Sequence, residues 1–219
     1  HAHRLTHTRV SRAIEYVHAA AEVGANAIKF QIFDNPNSET MFCFIDGDEE
    51  RSGRWKQSRL SYLQWKVIKE EADALGITFL ASCFEYETVK WLSGLGVCAT
   101  KVASRAANRI ECFEGAPLPL MVSNGMYDTV DIKLKDEQTI LLECESVYPS
   151  IMRWGGKLPG YSDHSGNPWR AIDAISRGCK LIEVHFHIDR IHAGPDLPAS
   201  LALSELGLVC EARDVIGAL

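Results

Sequence analysis

The chain has 219 residues, 46% hydrophobic and 24% charged, with a formal net charge of −6 and an isoelectric point near 5.8. That length suits one domain with a substantial core, and the acidic balance argues against a protein that grips nucleic acid through a basic face. No apolar run approaches a membrane span, and the opening "HAHRLTHTRVSR" lacks the apolar heart of a secretory signal, so a cytoplasmic protein is expected.

In chain order, "SRAIEYVHAAAEVG" predicts a helix with Ala13, Val17, Ala20 and Ala21 on one stripe and Gly24 as its stop. The strand-like run "AIKFQIF" follows. "YLQWKVIKEEADALG" is again helical, closes on Gly76 and leads into "ITFLAS". "ETVKWLSGLG" leads into "CATKVAS", the runs "LPLMVS", "TILLECES" and "LPGYSDH" come next, and "WRAIDAISRG" leads into "CKLIEVHF". Helix, glycine and short apolar strand in repetition mark a parallel sheet. The strand C-terminal ends carry Ser82, Ser104, Ser123, Ser146, His164 and His185. That rim is where the active site of a (β/α)8 barrel sits, so the expected fold is an α/β TIM barrel rather than a doubly wound open sheet.

Seven strands are counted where a closed barrel needs eight, and three connections look short for crossovers. They are "RAANRIECFEGAP", "NGMYDTVDIKLKDEQ" and "VYPSIMRWGGK". The expectation is one barrel domain over residues 1–219 with pieces missing: ahead of His1, between Ala107 and Ala116, within Asp128–Glu137 and near Arg153–Gly156. The seven cysteines are odd in number and form no CxxC pair, so reduced and mostly buried thiols in a reducing compartment are expected.

Alternation in "AIKFQIF" sends Ile28, Phe30 and Ile32 one way and Lys29 and Gln31 the other, into the barrel. Lys101 in "ATKVAS" points inward by the same rule. Two buried lysines need a negative partner. That partner is either a bound anion or a buried carboxylate such as Glu183. The strand-end serines suit phosphate or carboxylate oxygens, and "SNG" and "SGN" offer turn N–H groups to an anion. His164 and His185 end neighbouring strands about 4.8 Å apart, within reach of one ion. His187 shares their side and is a candidate third ligand or a loop residue. Pattern alone leaves open whether the histidines hold a metal or sit in a core.

The stretches "GANAIKFQIFD", "GITFLASCFEYETVKWL", "TKVAS", "VSNGM", "LLECESVYPS", "GYSDHSG" and "IEVHFHIDRIHAGPDLPAS" occur in the order in which the N-acetylneuraminate (sialic acid) synthase family carries them. The resemblance covers nearly the whole chain and is most specific from Gly160 to Ser200. It implies a (β/α)8 enzyme, a homodimer, that condenses phosphoenolpyruvate with an N-acylated six-carbon aldose such as N-acetylmannosamine. The products are a nine-carbon sialic-type acid and phosphate. It implies a divalent cation, Mn2+ or Mg2+, on His164 and His185. It also implies Lys29, Ser82, Lys101, Ser104, Ser123, Ser146 and Ser162 around phosphoenolpyruvate, with Lys29 and Lys101 catalytic beside the histidines. Gln31, Tyr148 and Asp196 fall on the sugar side.

The chain departs from that family in four places. The first strand, with its "E-I-G" glutamate, is absent. Arg105 and Ala106 stand where a glycine and an acidic residue are usual, Glu143 stands for a histidine, and the C-terminal antifreeze-like domain is absent. Two other functions are compatible with the residues: a non-catalytic ligand-binding member of the family, or a metal-dependent hydrolase barrel using "HAH" and Lys101.

Overall fold

Short strands with one apolar face need helices to cover them, and the chain supplies helix and strand in alternation. The computed structural model describes residues 2–45, 47–127, 138–190 and 194–217, with side chains from residue 9 onward. Helix α1 (Ala2–Glu22) leads to β1 (Ala27–Ile32), and α2 (Glu49–Ser58) and α3 (Tyr62–Ala74) lead to β2 (Thr78–Cys83). Helix α4 (Tyr86–Leu95) leads to β3 (Thr100–Val102), and a 3-10 helix over Ser104–Phe113 precedes β4 (Leu120–Ser123). Then come β5 (Thr139–Cys144), β6 (Gly160–Asp163), α5 (Pro168–Ser176), β7 (Leu181–His187), β8 (Ser200–Ala202) and α6 (Leu203–Gly217).

The strands form one parallel sheet in consecutive order, β1 to β8. Strands β1 to β7 are the seven expected runs. The eighth, Ser200–Ala202, escaped the count because three residues hold too little alternation to register as a strand. The sheet is strongly curled. Six strand spacings of about 4.8 Å would put β1 and β7 roughly 29 Å apart on a flat sheet, yet Lys29 on β1 and Glu183 on β7 form an ion pair at 3.2 Å. The curl does not close among the described residues: β1 pairs only with β2, and Leu181–Val184 of β7 only with β6. A cavity of about 690 Å3 opens between them, lined by Ile28, Phe30, Ile182, Val184 and Phe186. Every residue of β7 before His187 is only partly buried, whereas all of β6 is buried.

The core lies between the outer sheet face and the helices. Ile28, Ile32 and Phe79 pack with Trp65, Ile68, Leu92 and Val17, each large apolar side chain contributing about 1.5–3 kcal/mol by leaving water. Helix α3 starts cleanly because Ser61 and Gln64 form a reciprocal capping box. Phe30 bridges Trp65 and Phe79 at ring distances of 5.5 and 5.7 Å. It stays partly exposed because β1 has no neighbour on its other side.

The short connections carry their own structure. Between β3 and β4 the 3-10 helix sends Ala106, Ala107, Cys112 and Phe113 into the core. Between β5 and β6 the outward carboxylate of Glu143 accepts hydrogen bonds from the backbone of Gly155 (2.6 Å), Lys157 (2.5 Å) and Leu158 (3.0 Å). Trp154 is buried beneath this loop, and Arg177 donates to its carbonyl at 2.7 Å. An internally bonded loop therefore occupies the segment around Arg153–Gly156, and the 3-10 helix occupies the one between Ala107 and Ala116. The third expected gap, Asp128–Glu137, lies outside the described residues. All seven cysteines are free thiols; Cys43, Cys83, Cys112, Cys144 and Cys210 are buried and Cys98 is exposed. No helix among the described residues is long and apolar enough to cross a membrane.

Candidate active site

The inner face of the sheet brings two lysines from non-adjacent strands to one carboxylate. Glu183 on β7 lies 3.2 Å from Lys29 of β1 and 3.3 Å from Lys101 of β3. Ser162 of β6 donates to Glu183 at 2.6 Å. Lys101 also donates to Ser123 at 2.8 Å and to the carbonyl of Val102 at 3.2 Å, and Lys29 reaches Ser82 at 3.4 Å. Ser82, Ser123, Ser162 and Lys101 are all buried. Burial lowers the Lys101 pKa, opposed by Glu183. For Glu183, burial pushes the carboxyl up, but Lys101 and Lys29, with Ser162, outweigh it and hold it well below the usual range. Two cations share one anion, so the cluster keeps a net positive charge.

Beside it stand the histidines. His164 follows β6, and its Nδ1–H donates to the Glu145 carbonyl at 2.8 Å. That bond fixes the tautomer and leaves the Nε2 lone pair facing the site, where the Tyr148 hydroxyl donates to it at 3.1 Å. The His185 ring centroid is 5.2 Å from that of His164 and 5.7 Å from that of Tyr148, and Tyr148 stacks on His164 at 4.3 Å. Burial lowers the His164 pKa. Burial, reinforced by Lys29, lowers that of His185 to about 4. Both rings are therefore neutral at pH 7, the form that lends a lone pair to a cation.

The loop carrying His164 is tightly specified. Buried Asp163 accepts from Tyr161 at 3.2 Å and from the Ser165 N–H at 2.8 Å. Gly166 has φ +63°, and a Cβ there would lie 2.5 Å from the Pro198 carbonyl oxygen. "SDHSG" thus packs directly against the segment that follows Asp196.

The remaining expected residues separate into a second shelf and a rim. Ser146 donates to Ser104 at 3.1 Å, so these two pair with each other rather than with the lysines. Gly125 of "SNG" permits this approach, because a Cβ would meet the Ser146 hydroxyl at 2.7 Å. Gln31 is exposed on the same face of β1 as Lys29. Burial raises the Tyr148 pKa, and the charge of partly buried Asp196 adds to that rise while opposing the fall at His185. His187 is buried with an unpartnered Nδ1, but no group of three His, Cys, Asp or Glu suited to a metal occurs among the described residues. The histidine pair thus stands without a third His, Cys, Asp or Glu grouped with it among the described residues.

Arg105 turns away to pair with buried Asp48 at 2.7 Å and to stack on Trp55, and Ala106 is fully buried. Glu143 likewise faces its loop rather than the site. Three contributors went unnoticed in the sequence: the Glu145 carbonyl, buried Asp163, and the Cys144 thiol, 3.8 Å from His164. A carbonyl has no sequence signal. Asp163 and Cys144 were legible only as members of "SDH" and of an apolar strand.

A curled parallel α/β sheet with lysines inside its strands, and serines and paired neutral histidines toward the strand C-terminal ends, belongs to the barrel-type α/β proteins, whose sites lie at that end. Within that class the chain belongs to the NeuB family, whose sequence profile matches residues 16–219. It is 29% identical over 238 residues to the N,N'-diacetyllegionaminic acid synthase of Legionella pneumophila, covering 92% of this chain and 67% of that protein. It is 29% identical over 225 residues to the human N-acetylneuraminate-9-phosphate synthase, covering 87% of this chain and 61% of that one. The chain thus spans about two thirds of the length of these curated relatives. The crystal structure of the N-acetylneuraminic acid synthetase of Leptospira borgpetersenii, in complex with citrate, superposes with a TM-score of 0.81 at 26% identity, over 97% of this chain and 80% of that one.

Proposed function

We propose that this chain is the barrel portion of a sugar-acid synthase that condenses phosphoenolpyruvate with an N-acylated six-carbon aldose. The observation that carries this reading is the convergence of Lys29 and Lys101 on one point among buried serines, beside two neutral histidines. Phosphoenolpyruvate brings a phosphate and a carboxylate, and the lysine cluster has surplus positive charge for them. Lys29, Lys101, Ser82, Ser123 and Ser162 hold those groups. Tyr148, Asp196 and Gln31 face the sugar.

The reaction joins carbon 3 of phosphoenolpyruvate to the aldehyde carbon of the open-chain sugar. Carbon 2 becomes electron-poor, water adds there, and the tetrahedral phosphate adduct expels phosphate to leave the keto acid. Positioning and charge stabilisation therefore do most of the work. A divalent cation, Mn2+ or Mg2+, held by Nε2 of His164 and by His185 would polarise the sugar aldehyde. The names of the relatives favour an N-acylated amino sugar as acceptor.

Phosphate release from phosphoenolpyruvate, assayed with N-acetylmannosamine, its 6-phosphate and 2,4-diacetamido sugars in turn, tests the proposal. No release with any acceptor, from a folded chain with Mn2+ present, defeats it. Arg105 and Ala106, where an acidic group is usual, favour a second reading as a binding-only member; phosphoenolpyruvate binding without release is its signature.

A further inference from the structure

Glu183 occupies the spot where a substrate anion is wanted. It lies 3.2–3.3 Å from both ammoniums, as close as an incoming phosphate oxygen would lie. Lys29 and Lys101 come from strands separated by β2, so nothing local draws them together. Only a group reaching across the barrel interior from β7 does so. Each lysine also has a second anchor: Ser82 for Lys29, and Ser123 with the Val102 carbonyl for Lys101. Among the described residues, the Oε1 of Glu183 makes no hydrogen bond and has only its ion pair to Lys29.

We propose that Glu183 is an internal counter-ion that restrains anion binding: it gathers the Lys29 and Lys101 ammoniums at one point and yields part of them to the phosphate or carboxylate of the substrate. This rests on the synthase reading for the identity of that substrate, but the anion site itself does not. Two buried lysines without a carboxylate would be costly to fold. A permanent carboxylate removes that cost but repels every anion that enters. Anion affinity is thereby held down and the phosphate product leaves readily. Repulsion across about 5 Å outweighs the loss of one tether, since both lysines keep their other anchors.

The test is calorimetric titration of inorganic phosphate into the wild-type chain, Glu183→Gln and Glu183→Asp. Phosphate is expected to bind about tenfold tighter to E183Q. E183D, whose carboxylate withdraws by one methylene, should be intermediate, and it stands in if E183Q does not fold. KM for phosphoenolpyruvate should fall together with kcat, as product release slows. A merely structural glutamate would lower thermal stability without tightening anion binding. Unchanged or weaker phosphate binding in the folded variants overturns the inference, even if the wild type turns over. A wild type that releases no phosphate from phosphoenolpyruvate, while the affinity order holds, overturns the synthase reading alone.

Discussion

Two regions flank the histidine pair, and they are built differently. The floor of Lys29, Lys101, Glu183, Ser82, Ser123 and Ser162 is carried on six strands, and most of it is buried. The rim of Tyr148 and Asp196 is carried on loops, and Tyr148 is 43% exposed. Strand positions are fixed by ladder hydrogen bonds, on one side for Lys29 and Glu183 and on both sides of the strands that carry the others, whereas loop positions depend on a few local bonds. The difference teaches where each kind of specificity is stored. On the proposed function, the floor takes phosphoenolpyruvate and the rim takes the acceptor sugar; the relatives' names include N,N'-diacetyllegionaminic acid synthase and N-acetylneuraminate-9-phosphate synthase.

The strongest break in this comparison comes where floor and rim meet. Replacing His164 and His185 together by Ala should abolish Mn2+ binding, read by calorimetry, and phosphate release with it. Undiminished binding in the double variant would falsify the assignment of the pair. Next in size, Lys101→Met should lower kcat/KM for phosphoenolpyruvate about 10²–10³-fold, the scale on which a preorganised charge contact acts. A loss felt only in the sugar KM would place Lys101 on the wrong side. Gly166→Ala should sharpen the contrast. The new Cβ meets a carbonyl oxygen at 2.5 Å with φ at +63°, so about 1–3 kcal/mol of stability in a urea titration should be lost. The sugar KM should rise while that of phosphoenolpyruvate stays. The smallest effect is expected for Tyr148→Phe. One part-buried hydroxyl bond is worth about 0.5–1.5 kcal/mol, a rise in sugar KM of roughly two- to tenfold; a larger effect on phosphoenolpyruvate would merge the two regions into one.

The seam between β1 and β7 has its own lesson for the floor. Phe30, Ile182 and Val184 stay partly exposed although they sit in strands, because parallel strands bury their side chains only when flanked on both edges. Lys29 and Glu183 face each other across that seam, so their ion pair is also one of the bonds that span the open side of the sheet, with Arg213 to Gly24 and Asn26.

Much of the protein was legible before any coordinates. Helix–glycine–strand repetition determined a parallel α/β sheet, because 3.6-residue and two-residue periods leave different marks. Alternation in "AIKFQIF" and "ATKVAS" determined that Lys29 and Lys101 point inward, since a strand has only two faces. The expected places of His164 and His185 near the ends of successive strands determined that they would be neighbours, although β7 runs two residues past His185 to His187. Other features were decided by the tertiary structure alone. Ser200–Ala202 became a strand only because the end of β7 offered it a ladder. The loop around Trp154 took its form from Glu143, whose outward carboxylate has no use in the strand pattern. Whether the lysines would meet an anion or a carboxylate depended on Glu183, about 80 residues further along the chain than Lys101. Local sequence reports the direction of a side chain because backbone geometry is local. Which charge it meets is set by the curl of the whole sheet, and no short stretch of sequence encodes that.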